Sequence, residues 1–360
     1  MKIESVFCRN FRNLEEIAFF PDEQMNVIYG ENAQGKTNLL EAIWLFTGAK
    51  SFRGVKDREM VAFSAEKAKI SMDFSCEGVS KNAEIQIEKR RTAFLNGNRL
   101  KSAAELAGFF RAIIFSPQDL YLVEAGPEKR RRFLDIAISQ LFPAYLQFLK
   151  RYVRAMAQRN RALKEIKAGL CSVDILDAFE EEMARCGLSI IRYRSRYTEY
   201  LSEYTAGLYD GISSSKEKLA VSYQPVCEAN LLREALKNSR KEDFYTLSTG
   251  VGPHRDDLLF CINGNTAKTF ASQGQKRSIA LSLKLSEAGI LEKITGEQPV
   301  SLLDDVMSEL DPGRQDFILN HIRDRQVFIT CCDPNQTEIL QKGKRVKMEE
   351  GRIEKECIST

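Results

Sequence analysis

Residues Gly30-Glu31-Asn32-Ala33-Gln34-Gly35-Lys36-Thr37 follow the apolar run Asn26-Val27-Ile28-Tyr29 and lead into the helical pattern Asn38 to Phe46. Strand, glycine-bearing loop, Lys-Thr and helix in that order distinguish a phosphate-binding loop from an ordinary turn. Glycine lets such a loop turn its N–H groups inward, so the backbone of Gly30 through Gly35 is expected to ring phosphate oxygens. The amide end of the next helix, at Lys36, Thr37 and Asn38, faces the same anion. Lys36 is expected to reach the β- and γ-phosphates of ATP, and the Thr37 hydroxyl to hold Mg²⁺. A chain built around this unit needs a buried, largely parallel sheet with helices beside it, which makes the fold class α/β.

The other half of a nucleotide site lies far away. Val300-Ser301-Leu302-Leu303 is an apolar strand that ends in Asp304-Asp305. After a phosphate-binding loop, the first acid at such a strand end can hold the metal and the second can orient or deprotonate water. Asp304 is therefore expected at Mg²⁺ and Asp305 as the catalytic base. On its own such a pair would be read as turn or cap acids. More than 260 residues separate Thr37 from Asp304, which a small kinase does not need and an inserted domain explains.

Residues 1–127 are expected to form the first half of an ATPase head. Runs at Lys69–Phe74 and Ala83–Ile87, with the Asn96-Gly97 hairpin signal, predict an antiparallel β lobe beside the loop. Residues 128–215 change to helical periodicity, with Phe148, Tyr152 and Met156 four apart, then helical stretches from Ile175 to Ala184 and from Leu188 to Tyr209. This is expected to be an inserted, mainly helical arm domain, too short for a long coiled coil. Residues 216–360 return to strands at Lys218–Tyr223, Asp257–Ile262, Pro299–Leu303 and Val327–Thr330 and complete the head. Hydrophobic content of 43% and charged content of 29% suit a globular chain, and there is no apolar run of membrane-spanning length. The N-terminus lacks a signal-peptide block, and 9 scattered cysteines without a CxxC argue for reduced thiols. A cytoplasmic location, with no membrane partner, is the expectation.

Three further short motifs carry a resemblance. Ala271-Ser272-Gln273-Gly274-Gln275 is similar to the signature loop of ABC-type ATPases, Ser308-Glu309-Leu310-Asp311 to their D-loop, and Ser116-Pro117-Gln118-Asp119 stands where their Q-loop lies. Each match is weak, but the order of all five motifs along the chain is specific. The resemblance implies that Ser272, Gly274 and Gln275 bind the γ-phosphate of ATP held by a second subunit. It also implies that Gln118 serves the metal and the attacking water, and that Arg12 and Asp311 contact the nucleotide. Asn10-Phe11-Arg12-Asn13 resembles the start of SMC and DNA-repair ATPases. Arg130-Arg131-Arg132-Phe133-Leu134-Asp135, with Gly126-Pro127 before it, and Gly252-Pro253-His254-Arg255-Asp256-Asp257 resemble two motifs of the RecF family. That resemblance spans the chain. It implies an ABC/SMC-like P-loop ATPase head, an ATP-dependent homodimer, binding to duplex DNA and single-strand/double-strand junctions, and cooperation with RecR and RecO in loading RecA. It further implies slow, DNA-stimulated ATP hydrolysis used as a switch. The alternative is the soluble ATPase subunit of an ABC-type transporter, which the split head and basic insert disfavour. One departure is Cys331, which stands where ABC proteins carry a switch histidine; another is Gln273, where transporters prefer glycine.

Between Lys129 and Lys167 eleven Lys or Arg face two acids, Asp135 and Glu165, and Arg192, Arg194 and Arg196 follow. Such a surplus is expected to supply some contacts to DNA phosphates. No recognition helix or stacking platform is evident, so backbone and shape recognition is expected. His254 is expected to tie down its own loop.

Overall fold

The computed structural model describes residues 1–213, 216–332 and 343–359. The chain begins with β1 (Lys2–Phe11), β2 (Leu14–Phe19), β3 (Met25–Tyr29) and α1 (Lys36–Trp44). It continues through β4 (Ala68–Cys76), β5 (Val79–Ile87), β6 (Arg91–Leu95), β7 (Asn98–Arg99) and β8 (Ala112–Phe115). Then come α2 (Pro127–Leu141), α3 (Pro143–Lys167), α4 (Ile175–Ser213), β9 (Leu219–Gln224), α5 (Leu232–Asn238), α6 (Arg240–Thr246), β10 (Asp257–Ile262), β11 (Asn265–Thr266) and α7 (Ala267–Phe270). The chain returns through α8 (Gln273–Thr295), β12 (Val300–Asp304), α9 (Pro312–Ile322), β13 (Val327–Cys331), β14 (Gly343–Glu349) and β15 (Arg352–Ser359). These elements form two compact units, one of Met1–Tyr121 with Arg277–Thr360, the other of Leu122–Lys276.

The first unit contains two six-stranded sheets. One runs β15-β14-β3-β13-β12-β8 and is parallel from β14 to β8. Every residue of β12 and β13 is buried, as continuous apolar strands require when both sheet faces are covered. β13 lies between β3 and β12, so Thr330 is in register with Ile28 on one side and Asp304 on the other. The other sheet, β2-β1-β4-β5-β6-β7, is antiparallel throughout. β4 alternates buried and less buried residues along its length, the pattern of a sheet with one face on a core. Asn96 and Gly97 turn the predicted hairpin with φ of 48° and 77°, the double positive φ that a tight two-residue turn needs.

The second unit combines α2, α3 and α4 with the small antiparallel sheet β11-β10-β9. Two helical stretches expected on either side of Gly187 are one helix of 39 residues. Gly187 does not break it. A Cβ there would collide with the Leu232 side chain, with Tyr152 and Pro253 close behind, so the glycine serves close packing. The unit reaches beyond residues 128–215 at both ends, because β9 and α5 pack on α4 and β10 packs on α2.

Charge is buried in this unit to an unusual degree. The Arg159 side chain is wholly buried and meets Glu180 at 3.0 Å and Asp243 at 2.8 Å. It also donates to Thr249 Oγ1 at 3.0 Å. Arg194, 2% exposed, donates to Asp135 at 2.8 Å and to the Pro253 carbonyl at 2.6 Å. Asp135 accepts from the Tyr145 hydroxyl as well. Removing one partner from such a network strands the others in low dielectric, which costs more than the network contributes. Arg194→Met is therefore expected to destabilise this unit by about 3–5 kcal/mol in urea unfolding followed by circular dichroism. Arg192→Met, at an exposed position of the same helix, should stay within about 0.5 kcal/mol.

Candidate functional site

The parallel sheet brings its functional ends together. Loop residues after β3, the acids after β12 and the residues closing β13 all lie at the carboxyl edge, where open α/β sheets bind ligands. A cavity of about 330 Å³ there is lined by Asn32, Ala33, Gln34, Gly35, Lys36, Thr37 and Asn38 of the loop, together with Asn13, Arg53, Thr330 and Asp305. Ala33 and Gly35 take φ of 66° and 103°, which curls the loop around that space. Gly35 ends the loop as the N-cap of α1, and no side chain caps this helix and no acid lies in its first turn. Its leading N–H groups are thus left for an anion.

Lys36 is 7% exposed and its ammonium donates to the carbonyls of Gly30 at 2.5 Å and Glu31 at 2.7 Å. Thr37 Oγ1 donates to Asp304 Oδ1 at 2.7 Å. Asp304 Oδ1 also accepts from Thr330 Oγ1 at 2.9 Å. Burial raises the pKa of Asp304, the neighbouring Asp305 adds to that, and the two hydroxyl hydrogen bonds and Arg53 oppose it. A hydroxyl and a carboxylate oxygen in contact, beside an uncapped helix end, are the hard donors that Mg²⁺ takes with a phosphate. Asp305 has φ of 51°, an uncommon conformation for a residue with a Cβ and one that recurs at functional sites. It is held there because its N–H donates to Thr330 Oγ1 at 2.9 Å and its carbonyl accepts from Ser308 Oγ at 2.9 Å.

The structure distributes the other expected residues differently. Gln118 is exposed in a short 3-10 turn and does not line the cavity; Asp119 beside it accepts from Ser116 N–H and Oγ, both at 2.8 Å. The Arg12 guanidinium is engaged by the buried Glu41, at 2.9 Å and 3.1 Å. Asp311 accepts from Arg314 N–H at 3.1 Å and so caps α9. Ser272, Gly274 and Gln275 belong to the second unit. There Gln275 N–H donates to Ser272 Oγ at 3.2 Å while Gln275 Oε1 accepts from Ser272 N–H at 2.6 Å, a reciprocal cap at the start of α8. Gln273 has its own task, donating to Glu124 at 2.9 Å.

Cys331 is buried at 2% exposure, and it is Cys332 whose sulfur lies 3.2 Å from Asn32 Oδ1 and 3.8 Å from Lys36 Nζ. Asp333, where the switch-histidine comparison continues, lies outside the described residues. Sequence reasoning missed Thr330, which joins both acids, and Arg53, which donates to Asn38 Oδ1 at 2.9 Å. It also missed the β14–β15 turn, whose Gly351 N–H donates to the Gln34 carbonyl at 3.1 Å. Only the position of Thr330 at the end of an apolar strand could have signalled the first.

His254 behaves as a loop anchor. Its Nε2 lies 2.9 Å from the Thr249 carbonyl and its Nδ1 2.8 Å from the Tyr152 hydroxyl. A carbonyl can only accept, so Nε2 carries the proton and Nδ1 accepts from Tyr152. Burial lowers the pKa of His254, consistent with a neutral ring. Of the arginines expected to face DNA, Arg130 pairs with Asp257 at 2.6 Å and Arg131 donates to the Asp256 carbonyl at 2.7 Å. Arg151, Arg161 and Arg196 pair with Glu182, Glu165 and Glu199. Among the described residues no helix is long and apolar enough to cross a membrane.

Comparison with known proteins agrees with this geometry. Residues 2–355 match the model of the RecF/RecN/SMC N terminal domain family. The DNA replication and repair protein RecF of Caldanaerobacter subterraneus subsp. tengcongensis is 42% identical, over 94% of this chain and 96% of its own. That of Lachnospira eligens is 39% identical, with 92% of each chain covered. A solved structure of the recombination mediator protein RecF with ATP, in the RecFOR pathway, superposes with a TM-score of 0.90 at 40% identity, covering 98% of this chain and 97% of that one. An SMC head domain of Pyrococcus furiosus shares the fold at a TM-score of 0.55 and 16% identity, over 99% and 96% of the two chains. Sequence, fold and site thus converge, and this chain belongs to the RecF family of DNA replication and repair proteins.

Proposed function

We propose that this protein is an ATP-dependent DNA-binding switch of recombinational repair and replication restart. The observation that carries the proposal is the contact between Thr37 and Asp304 at 2.7 Å, set beside the uncapped start of α1. ATP is the substrate. Its phosphates fit the curled loop from Gly30 to Thr37, with the Lys36 ammonium leaving its loop carbonyls for the β- and γ-oxygens. Mg²⁺, held by Thr37 and Asp304, would neutralise charge developing on the phosphates. Asp305, fixed in its unusual backbone conformation, orients the attacking water and takes its proton.

The described residues that line the cavity all belong to the first unit. Ser272, Gly274 and Gln275 from a second copy would close it over the γ-phosphate, in a two-fold arrangement with two such sites. Ser272 Oγ, which accepts from Gln275 N–H, would donate its own O–H to the phosphate. ATP then holds the dimer together on duplex DNA near single-strand gaps, and hydrolysis releases it. Cooperation with RecO and RecR in loading RecA is part of this reading; what supports it is that the relative of known structure is itself named a recombination mediator of the RecFOR pathway.

Three outcomes are expected. Asp305→Asn should bind ATP and accumulate as a dimer by light scattering, since hydrolysis that would separate the subunits is blocked; a variant that stays monomeric with ATP overturns the dimeric switch. Lys36→Met should lose both basal and duplex-stimulated hydrolysis. In the unaltered protein the stimulation by duplex should fall steeply as salt rises, because phosphate contacts release counterions. Hydrolysis indifferent to DNA in a steady-state assay would overturn the DNA-gated reading.

A further inference from the structure

Phe63 is fully exposed, at 113% relative accessibility. The backbone that carries it is not loose. Val61 bridges to Phe11, Arg12 N–H donates to the Met60 carbonyl at 2.8 Å, and Ala62 N–H donates to the Asn10 carbonyl at 2.9 Å. Ala65 N–H closes the turn on the Ala62 carbonyl at 3.0 Å. A large apolar ring is therefore held out in water by a tethered turn, so little conformational entropy remains to be lost when it meets a partner.

Among the described residues, the side chains of Arg9, Arg58 and Lys67 are exposed and have no carboxylate partner. Arg9 lies on the strand end to which the turn is pinned, and Arg58 and Lys67 flank Phe63 in sequence. Glu59 and Glu66 lie in the same segment, and Glu59 accepts from Lys56 N–H at 3.3 Å. The helices of the second unit bury Arg130, Arg159 and Arg194 against acids, and also carry exposed cations such as Lys129, Arg154 and Arg192. A phosphate-bearing partner fits the exposed Arg9, Arg58 and Lys67 side chains, and the exposed ring of Phe63 adds a feature that those helices do not need for backbone contacts.

We propose that Phe63 is a stacking wedge for the end of a duplex at a single-strand/double-strand DNA junction, with Arg9, Arg58 and Lys67 on the flanking phosphates. The proposal rests on the DNA-binding reading above. An aromatic ring has no partner along an intact phosphate backbone, whereas a junction offers the face of a terminal base pair. The turn is also connected to the nucleotide loop. Asn13, two residues beyond Phe11, donates to the Ala33 carbonyl at 3.0 Å and accepts from Asn38 Nδ2 at 2.7 Å, which gives DNA binding a short route to the ATP site.

The test is fluorescence anisotropy of the full chain, with ATP and Mg²⁺, on two labelled probes of equal duplex length: a continuous duplex closed at both ends by hairpin loops, and a duplex closed at one end by a hairpin loop and carrying a single-stranded overhang at the other. Phe63→Ala should weaken junction binding about tenfold while changing continuous-duplex binding less than about twofold, and Phe63→Trp should restore it. Arg9→Glu, Arg58→Glu and Lys67→Glu combined should reduce the slope of log affinity against log salt by about 0.9 for each phosphate no longer neutralised. Thermal melting should be unchanged in all variants. Unaltered junction binding by Phe63→Ala, or an equal weakening on both probes, overturns the wedge while leaving the DNA-binding reading intact. Failure of the unaltered protein to bind either probe overturns both.

Discussion

The hydrogen bond from Thr37 to Asp304 joins residues 267 positions apart, and the candidate site stands on it. It exists because β13 lies between β3 and β12 and holds their carboxyl ends at a fixed offset. Thr330, on that middle strand, donates to Asp304 and accepts from the N–H of Asp305. One hydroxyl thereby sets both acids. The central strands β12 and β13 are buried along their whole length, so the geometry at their edge inherits the rigidity of a packed core. Around the rim, the β14–β15 turn and Asn13, which pack against each other at Gly351, support the loop through Gln34 and Ala33.

The two helix ends that matter for nucleotide chemistry are prepared differently. At α1 the first N–H groups have no side-chain cap, which leaves them ready for an anion. At α8 they are satisfied within the chain, because Ser272 and Gln275 cap each other. An anion meeting α1 completes an unfinished helix end, whereas one meeting α8 must replace bonds already made. In the proposed dimer this makes the loop the site of first binding and the signature residues the later, conditional contact.

Charge has two distinct uses in this protein. In the second unit arginines are buried with acids as internal fasteners. Arg194 lies among Asp135, Tyr145 and the Pro253 carbonyl, and Arg159 among Glu180, Asp243 and Thr249. Counting basic residues along these helices therefore overstates what is offered to DNA. The Arg130 and Arg131 side chains show the same thing at motif level, since both hold the Asp256-Asp257 segment. Among the described residues, exposed cations without an acid partner remain on these helices, as at Lys129, Arg154 and Arg192, and around the Phe63 turn of the first unit.

Local sequence determined the elements whose chemistry is local. The loop Gly30–Thr37 was legible because glycine, Lys-Thr and a following helix must be adjacent to cradle phosphate. The buried strands were legible because only uninterrupted apolar runs can be covered on both faces, and the Asn96-Gly97 turn because few residues accept its positive φ. Order along the chain was enough for the family resemblance and for placing Asp304 at the end of a buried strand with Asp305 after it. Sequence could not show Thr330, Gly351 or Asn13 at the site, since each reaches it from a different strand or turn through bonds between distant residues. Nor could it show that Arg12 and the buried arginines of the helices are occupied by acids, that Cys332 and not Cys331 meets the loop, or that Gly187 lies inside one long helix. Those outcomes depend on which side chains pack together, and only tertiary structure decides which charges find partners and which remain for a ligand.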